Sequence, residues 1–377
     1  MRLVTPGRTI MRAASRALAV AATVVAALAA HGAFAQVPVR IDGDELRVHP
    51  GATVYEVASP RLHAARGDLL AASDGRVLAR GGGGDASIVL NGRVASGAEV
   101  VRPRDVIAVQ PGADSVETTT ERLEAIPIPT RIVGKGAILT LAAPGTAGLR
   151  RVVVGSVSGD VVASETVRPP EPMVLRRVID RSKKKVALTF DDGPWPRQTD
   201  AILKILEAEG VPATFFVIGK QVKAHPEIVR RAVRAGHAIG NHTYHHVDLT
   251  GVDAKRRASE IAGTSRVIAS ATGVTTRWLR PPGGLIDAAT YRETAAQGLR
   301  VVLWTVDPQD WRAGKTAAEI EADVVRAVTP GAVILLHDGG GDRRQTIAAL
   351  PGIIRKLRAK GYEFVPLAQV GAVKTTW

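Results

Sequence analysis

Val186-Ala187-Leu188-Thr189-Phe190-Asp191-Asp192-Gly193-Pro194 decides the fold: a five-residue apolar strand runs into a Gly-Pro turn and carries two carboxylates at its end. Carboxylates at the end of a buried strand are costly to desolvate unless a cation meets them, and a metal ion or an arginine is the usual partner. From Lys183 onward strand and helix patterns alternate. Candidate strands lie at 186–190, 213–218, 237–241, 277–281, 299–305, 332–337 and 362–366, with helical segments at 199–209, 221–235, 254–271, 288–297, 317–328 and 343–360. Alternation of this kind predicts a parallel sheet, and seven strands predict a barrel rather than an open sheet. In such a barrel chemistry collects at the C-terminal ends of the strands. Asp191, Asp192, His242, Arg280, Asp307, Asp310 and His337 all fall there.

Some fifty residues beyond the paired acids comes Gly240-Asn241-His242-Thr243-Tyr244-His245-His246. His242 and His246 stand four apart, the spacing that puts two imidazoles on one face of a helical turn. With Asp192 they would offer one carboxylate and two imidazoles to a divalent metal, leaving a position open for water. Either motif alone has an ordinary reading, a solvated Asp-Asp-Gly turn or a surface turn rich in imidazole. Their joint occurrence favours the metal site. His245, out of phase with His242, is expected to be exposed. His225, His237, Phe215 and Phe216 are expected to pack, and Trp195 offers a stacking face to a sugar.

Taken in order, TFDDGP (189–194), HTYHH (242–246), RPPGG (280–284), DPQDW (307–311) and LLHD (335–338) resemble the five motifs of the NodB-homology polysaccharide deacetylases, carbohydrate esterase family 4, over roughly residues 183–370. The resemblance implies a distorted (β/α) barrel, one divalent metal and hydrolysis of the acetamide of N-acetylated sugars. It implies Asp192, His242 and His246 as metal ligands and Asp191 as the general base. Arg280 would pair with that base. His337 would be the general acid, supported by an aspartate of the fourth motif, Asp310 in preference to Asp307. Trp311 and Leu335 would line the acetyl pocket, although both residue types are also ordinary core. Relatives often carry an aromatic where this chain has Gly283; a backbone N–H survives that change, so an oxyanion contact is retained while the pocket wall is lost. One carboxylate and two imidazoles suit zinc, and cobalt or nickel would fit the same set.

The rest of the chain reads as export and attachment. Arg2, Arg8, Arg12 and Arg16 precede an apolar run at 17–30, and Ala33-Phe34-Ala35 supplies a small-x-small cleavage signal, so 1–35 is expected to be a signal peptide. The run is short for a bilayer span of about 20 residues, and no stable membrane span is expected in the mature protein. There is no cysteine, which excludes a disulfide framework. The formal charge is +14, of which the four leader arginines carry 4, leaving +10. A basic exported protein suits anionic cell-wall polymers; nucleic acid is not expected, because the basic residues are spread along the chain and aromatics are only 4%. Residues 37–112 and 113–180 read as one or two small, mostly β modules, with short β-branched runs between glycine-bearing turns. The stretch 117–178 resembles G-five type modules of bacterial wall proteins, and the segment before it a ubiquitin-like or related β module. Arg168-Pro169-Pro170-Glu171-Pro172 reads as a stiff link, so a chain beginning near Lys183 is expected to fold alone.

The expected protein is a secreted, metal-dependent N-deacetylase of the bacterial wall or periplasm, acting first on peptidoglycan N-acetylglucosamine. Chitin oligomers and poly-N-acetylglucosamine stay open as substrates, and a non-catalytic wall-polysaccharide-binding protein is the rival of a different class.

Overall fold

The computed structural model describes residues 36–370, so the expected signal peptide lies outside the described residues. Two compact units are present: 36–124 with 151–165, and 125–150 with 166–370.

The second unit contains the barrel. Its strands are β1 (Lys185–Asp191), β2 (Ala213–Val217), β3 (Ala238–Asn241), β4 (Trp278–Leu279), β5 (Arg300–Val301), β6 (Ala332–His337) and β7 (Glu363–Phe364). They form one parallel sheet in the order β5-β4-β3-β2-β1-β6, with β7 beside the start of β1. The sheet curls until Val306, just past β5, bridges Ile334 of β6, and the Leu335 N–H donates to the Val306 carbonyl at 2.9 Å. Helices α1 (Gln198–Glu209), α2 (Gly219–Ala224), α3 (Pro226–Arg234), α4 (Ala254–Thr272), α5 (Ala288–Ala296), α6 (Ala317–Ala327) and α7 (Arg344–Ala359) connect the strands. The helix expected at 221–235 is broken at His225, because Pro226 has no N–H to continue the ladder and pushes the residue before it out of the helical region.

The period of two in β1 sorts its side chains. Val186, Leu188 and Phe190 pack outward with Ile202, Leu206 and Ile353 of the flanking helices. Ala187 joins Phe216, Val302 and Val333 in a second, inner cluster. Thr189 and Asp191 continue that inward row toward the C-terminal mouth. Register then sets the neighbours of the paired acids: Asp191 stands level with Phe216 on β2 and with His337 on β6. Asn241 stands level with Leu279, so His242 and Arg280 emerge side by side.

The division into units does not follow the expected 37–112, 113–180 and 183–370. Strands Thr130–Gly134, Met173–Val178 and Ile138–Ala143 form a three-stranded sheet belonging to the second unit. Ile138 bridges Val302, and the Leu303 N–H donates to the Ala137 carbonyl at 2.8 Å. Ala137 and Ile138 sit in the inner cluster with Ala187 and Val302, while Leu139, Met173 and Leu175 pack on Val301 and Leu303. Cutting at Lys183 would strip the barrel of these side chains. At about 1.5–3 kcal/mol for each large buried one, the loss is comparable to the whole stability of a domain. A chain from Lys183 was expected to fold alone; the structure instead places these strands in the same compact unit as the barrel.

The first unit has a five-stranded sheet in the order Asp44–Val48, Val37–Ile41, Val106–Gln110, Ser87–Leu90, Arg93–Ala95, with the helix Val54–Leu62 packed against it. That helix had a legible signal. Thr53 and Glu56 form a capping box, the Thr53 N–H donating to Glu56 Oε2 at 2.8 Å and the Glu56 N–H to Thr53 Oγ1 at 3.2 Å. No helix among the described residues is long and apolar enough to cross a membrane.

Candidate active site

Arg280 is fully buried at the barrel mouth, yet its guanidinium is nearly surrounded by acceptors. NH1 donates to Asp191 Oδ1 at 2.7 Å and to Thr189 Oγ1 at 2.8 Å, and NH2 donates to the Leu303 carbonyl at 3.0 Å. Its Cζ lies 4.1 Å from the centre of the Phe216 ring. Burial pulls the guanidinium below its ordinary pKa, and Asp191 opposes that. The pair therefore holds a buried carboxylate in one orientation, with its second oxygen, Oδ2, 3.7 Å from His242 Nε2.

Asp192, His242 and His246 come together as the sequence suggested, with potential ligand atoms all within 4.8 Å of one another. Asp192 Oδ1 lies 3.5 Å from His242 Nε2 and 3.2 Å from His246 Nε2, and it makes no hydrogen bond although it is buried. His242 Nδ1 meets the Arg280 carbonyl at 2.6 Å; a carbonyl only accepts, so Nδ1 carries a hydrogen and, in the neutral ring, Nε2 carries the lone pair. An orphaned carboxylate oxygen facing two imidazole nitrogens is a donor set that fits a divalent cation. Burial pushes Asp192 up, but His242 and the other nearby imidazoles hold it down at about 2.

The route to this convergence differs from the expected helical turn. Residues 242–246 are a loop, not a helix, and Thr243 and His246 take left-handed backbone with φ of 64° and 61°. Asp192 is also left-handed, at φ 77°. Such conformations are uncommon outside glycine and cluster at functional sites. The turn Asp338-Gly339-Gly340-Gly341 wraps around Asp192. A Cβ at Gly340 would collide with Asp192 Oδ2, so this turn has room for the Asp192 carboxylate only as glycine.

His337 Nδ1 lies 2.7 Å from Asp310 Oδ1, while Asp310 Oδ2 accepts from the His337 N–H at 2.9 Å and from Thr346 Oγ1 at 2.8 Å. Burial pushes this imidazole down, but the hydrogen bond and charge of Asp310 carry it above its ordinary value. With Nδ1 facing a carboxylate, Nε2 is the atom that gains and loses the proton. Asp307 is elsewhere, exposed and accepting from the Gln309 N–H.

Leu335 is 3% exposed in β6, two residues before His337 and on the same face, whereas Trp311 is 50% exposed beside Asp310. Gly283 has φ 63°, and a Cβ there would meet only the Leu285 side chain, at 3.7 Å. Backbone conformation, not lack of room, suits glycine to that position. His245 is 46% exposed on its side chain and leans onto Glu260, while His237 is buried edge-on to Phe215.

Trp304 and Thr199 had no sequence signal as site components, and Asp338, the last residue of LLHD, was given no role. Trp304 lies over Gly284, 5.8 Å from the Arg280 guanidinium. Asp338 follows His337 directly, is fully buried, and accepts from Thr199 Oγ1 at 2.6 Å; that hydroxyl in turn accepts from the Trp195 N–H at 2.7 Å. Burial, with Asp192 and Asp191 nearby, pushes Asp338 up to about 7. This chain of bonds fixes the backbone at Trp195, whose indole is 37% exposed.

Residues 179–302 match the family model described as polysaccharide deacetylase. A peptidoglycan-N-acetylglucosamine deacetylase of Bacillus cereus (strain ATCC 14579) is 35% identical over 200 residues, spanning 51% of this chain and 90% of that protein. A chitooligosaccharide deacetylase of Bradyrhizobium sp. (strain ANU 289) is 40% identical over 199 residues, spanning 50% and 90%. A solved peptidoglycan N-acetylglucosamine deacetylase in complex with 4-naphthalen-1-yl-N-oxidanyl-benzamide superposes with a TM-score of 0.50 at 36% identity, covering 52% of this chain and 92% of that one.

Proposed function

This chain belongs to the polysaccharide deacetylase family, and from that premise we propose that it is an exported, metal-dependent N-deacetylase of peptidoglycan N-acetylglucosamine. The observation that carries the reading is the orphaned Asp192 Oδ1 aimed at the Nε2 atoms of His242 and His246, one residue from a buried carboxylate locked by Arg280. The ligand in the solved relative is a hydroxamate, a metal-chelating group, which supports the metal. The peptidoglycan assignment is supported by the Bacillus cereus relative and by the basic charge of the chain.

A divalent ion held by Asp192, His242 and His246, zinc by donor type, would act as a Lewis acid toward the acetamide carbonyl and the attacking water. Asp191 is the base that takes the proton of that water, its Oδ1 fixed by Arg280 so that Oδ2 is left for the transfer. His337 Nε2–H delivers a proton to the departing amine, and Asp310 holds the ring in the tautomer and charge state that makes this possible. The Gly283 N–H steadies the developing oxyanion, and Leu335 and Trp311 close on the acetyl methyl.

Acetate release should be measured on peptidoglycan, chitin oligomers and poly-N-acetylglucosamine with metal-stripped and reloaded protein. The expected result is release that depends on reloading and is fastest on peptidoglycan. No release from any substrate would leave a binding protein, and faster release from chitin oligomers would move the substrate assignment.

The acid role has its own test. Protonated His337 is the active form, abundant below its pKa and lost as pH rises through it, and Asp310 keeps that pKa raised. Asp310→Asn should therefore move the alkaline limb of the pH–rate profile to lower pH. An unmoved limb in this variant would remove His337 from the acid role.

A further inference from the structure

We propose that Glu260, on α4, is the positioning residue of the metal-binding turn, its carboxylate holding the main chain between His242 and His246 in the shape that brings their Nε2 atoms together. This rests on the reading of Asp192, His242 and His246 as metal ligands.

The turn does not hold itself. Thr243 and His246 both occupy left-handed backbone, which costs an L-residue about 1 kcal/mol or more each, so surrounding bonds must impose it. The polar groups of the turn show where those bonds come from. The Thr243 and Tyr244 carbonyls accept from the N–H groups of Gly219 and Lys220, at 2.9 and 3.0 Å. The Thr243 N–H donates to Asn241 Oδ1 at 2.9 Å. The next two N–H groups, of Tyr244 and His245, both donate to Glu260 Oε2 at 2.8 Å. These two amides lie between the ligands, and one oxygen sixteen residues away from the first of them satisfies both.

Glu260 is placed and neutralised for this task. It is 1% exposed, and its other oxygen, Oε1, meets His245 Nδ1 at 2.7 Å and Arg256 NH2 at 2.6 Å. The labour is divided by atom: Oε2 takes the main chain, and Oε1 takes the two side-chain donors. The helix carrying Glu260 is tied to the strand end that launches the turn, since Asn241 Nδ2 donates to the Ile261 carbonyl at 2.8 Å and to Ser265 Oγ at 3.0 Å. Thus α4 is the mount of the two histidines although it contributes no ligand.

Two variants test the assignment. Zn²⁺ affinity is measured by competition with a chromogenic chelator, and the melting temperature is measured without metal. Glu260→Ala should weaken Zn²⁺ binding by about 10–100-fold, the range for losing a group that orients a ligand. Arg256→Ala removes a partly exposed cation but leaves both N–H bonds, and should weaken it by less than about fivefold. A Glu260→Ala protein with a lowered metal-free melting temperature but wild-type Zn²⁺ affinity would overturn the proposal, because the carboxylate would then be merely structural. So would an Arg256→Ala loss equal to that of Glu260→Ala, which would assign the effect to the ion pair. Should Glu260→Ala fail to fold, Glu260→Gln replaces it. Arg256 and His245 draw the amide oxygen to themselves and turn its NH₂ toward the two main-chain donors, so Zn²⁺ affinity should fall further than in Arg256→Ala. Unchanged affinity in Glu260→Gln would equally overturn the proposal.

Discussion

His242→Ala and His246→Ala are each expected to abolish measurable deacetylation and to weaken metal binding by more than about 100-fold, beyond the loss caused by removing a group that only orients a ligand. Each removes one of three side chains whose donor atoms converge within 4.8 Å. The two variants separate ligand loss from collapse of the site. His242 is 2% exposed and its Nδ1 meets the Arg280 carbonyl, so its removal also leaves a cavity and an unpaired acceptor. His246 is 42% exposed on its side chain, and truncating it should leave the metal-free melting temperature nearly unchanged. Elemental analysis of purified protein is the check. Full metal occupancy in both variants would reject Asp192, His242 and His246 as the ligand set.

Asp191→Asn should separate turnover from metal. The carboxylate is 3% exposed and faces the site with Oδ2 while Arg280 holds Oδ1. An asparagine keeps an oxygen for Arg280 but cannot take a proton, so turnover should fall by on the order of 10²-fold or more with metal content unchanged. The substitution also leaves a buried guanidinium without its counter-charge. Breaking a buried pair costs up to about 3–5 kcal/mol, so a lowered unfolding midpoint in denaturant should accompany the loss of rate. Metal loss in proportion to activity would instead make Asp191 a ligand and reverse its division of labour with Asp192.

The parts of the site that chemistry dictates were legible in the sequence because they must be particular residue types at strand ends. Asp191 and Asp192 after an apolar strand, Arg280 and His337 each closing another, and Asp310 near the last of them are unusual in such places. The structure brings Arg280 onto Asp191 and Asp310 onto His337. The spacing of His242 and His246 pointed to a pair that does converge, but for an incomplete reason. A four-residue interval fits a helical face, but it fits equally a loop whose left-handed residues fold the chain back, and no periodic pattern tells the two apart.

By itself, then, the sequence determined the alternating strands and helices, the inward and outward rows of β1, and the residue types that meet at the barrel mouth, since these follow from local period and from the cost of burying charge. Only the tertiary structure decided what each buried group meets. Glu260 looks like any acid on an amphipathic helix until α4 packs behind the histidine turn and puts Oε2 under two N–H groups. Thr199 and Thr346 are short polar residues with no signature, and Asp338 ends a motif without a role, until three strand ends bring them within a hydrogen bond of their partners. Ala137 and Ile138, read from sequence as part of a separate module, complete the inner cluster of the barrel. Periodicity reports that a face is buried; the partner that covers it depends on contacts far apart in the chain, and these form only when the sheet curls and the strands preceding Lys183 pack against it.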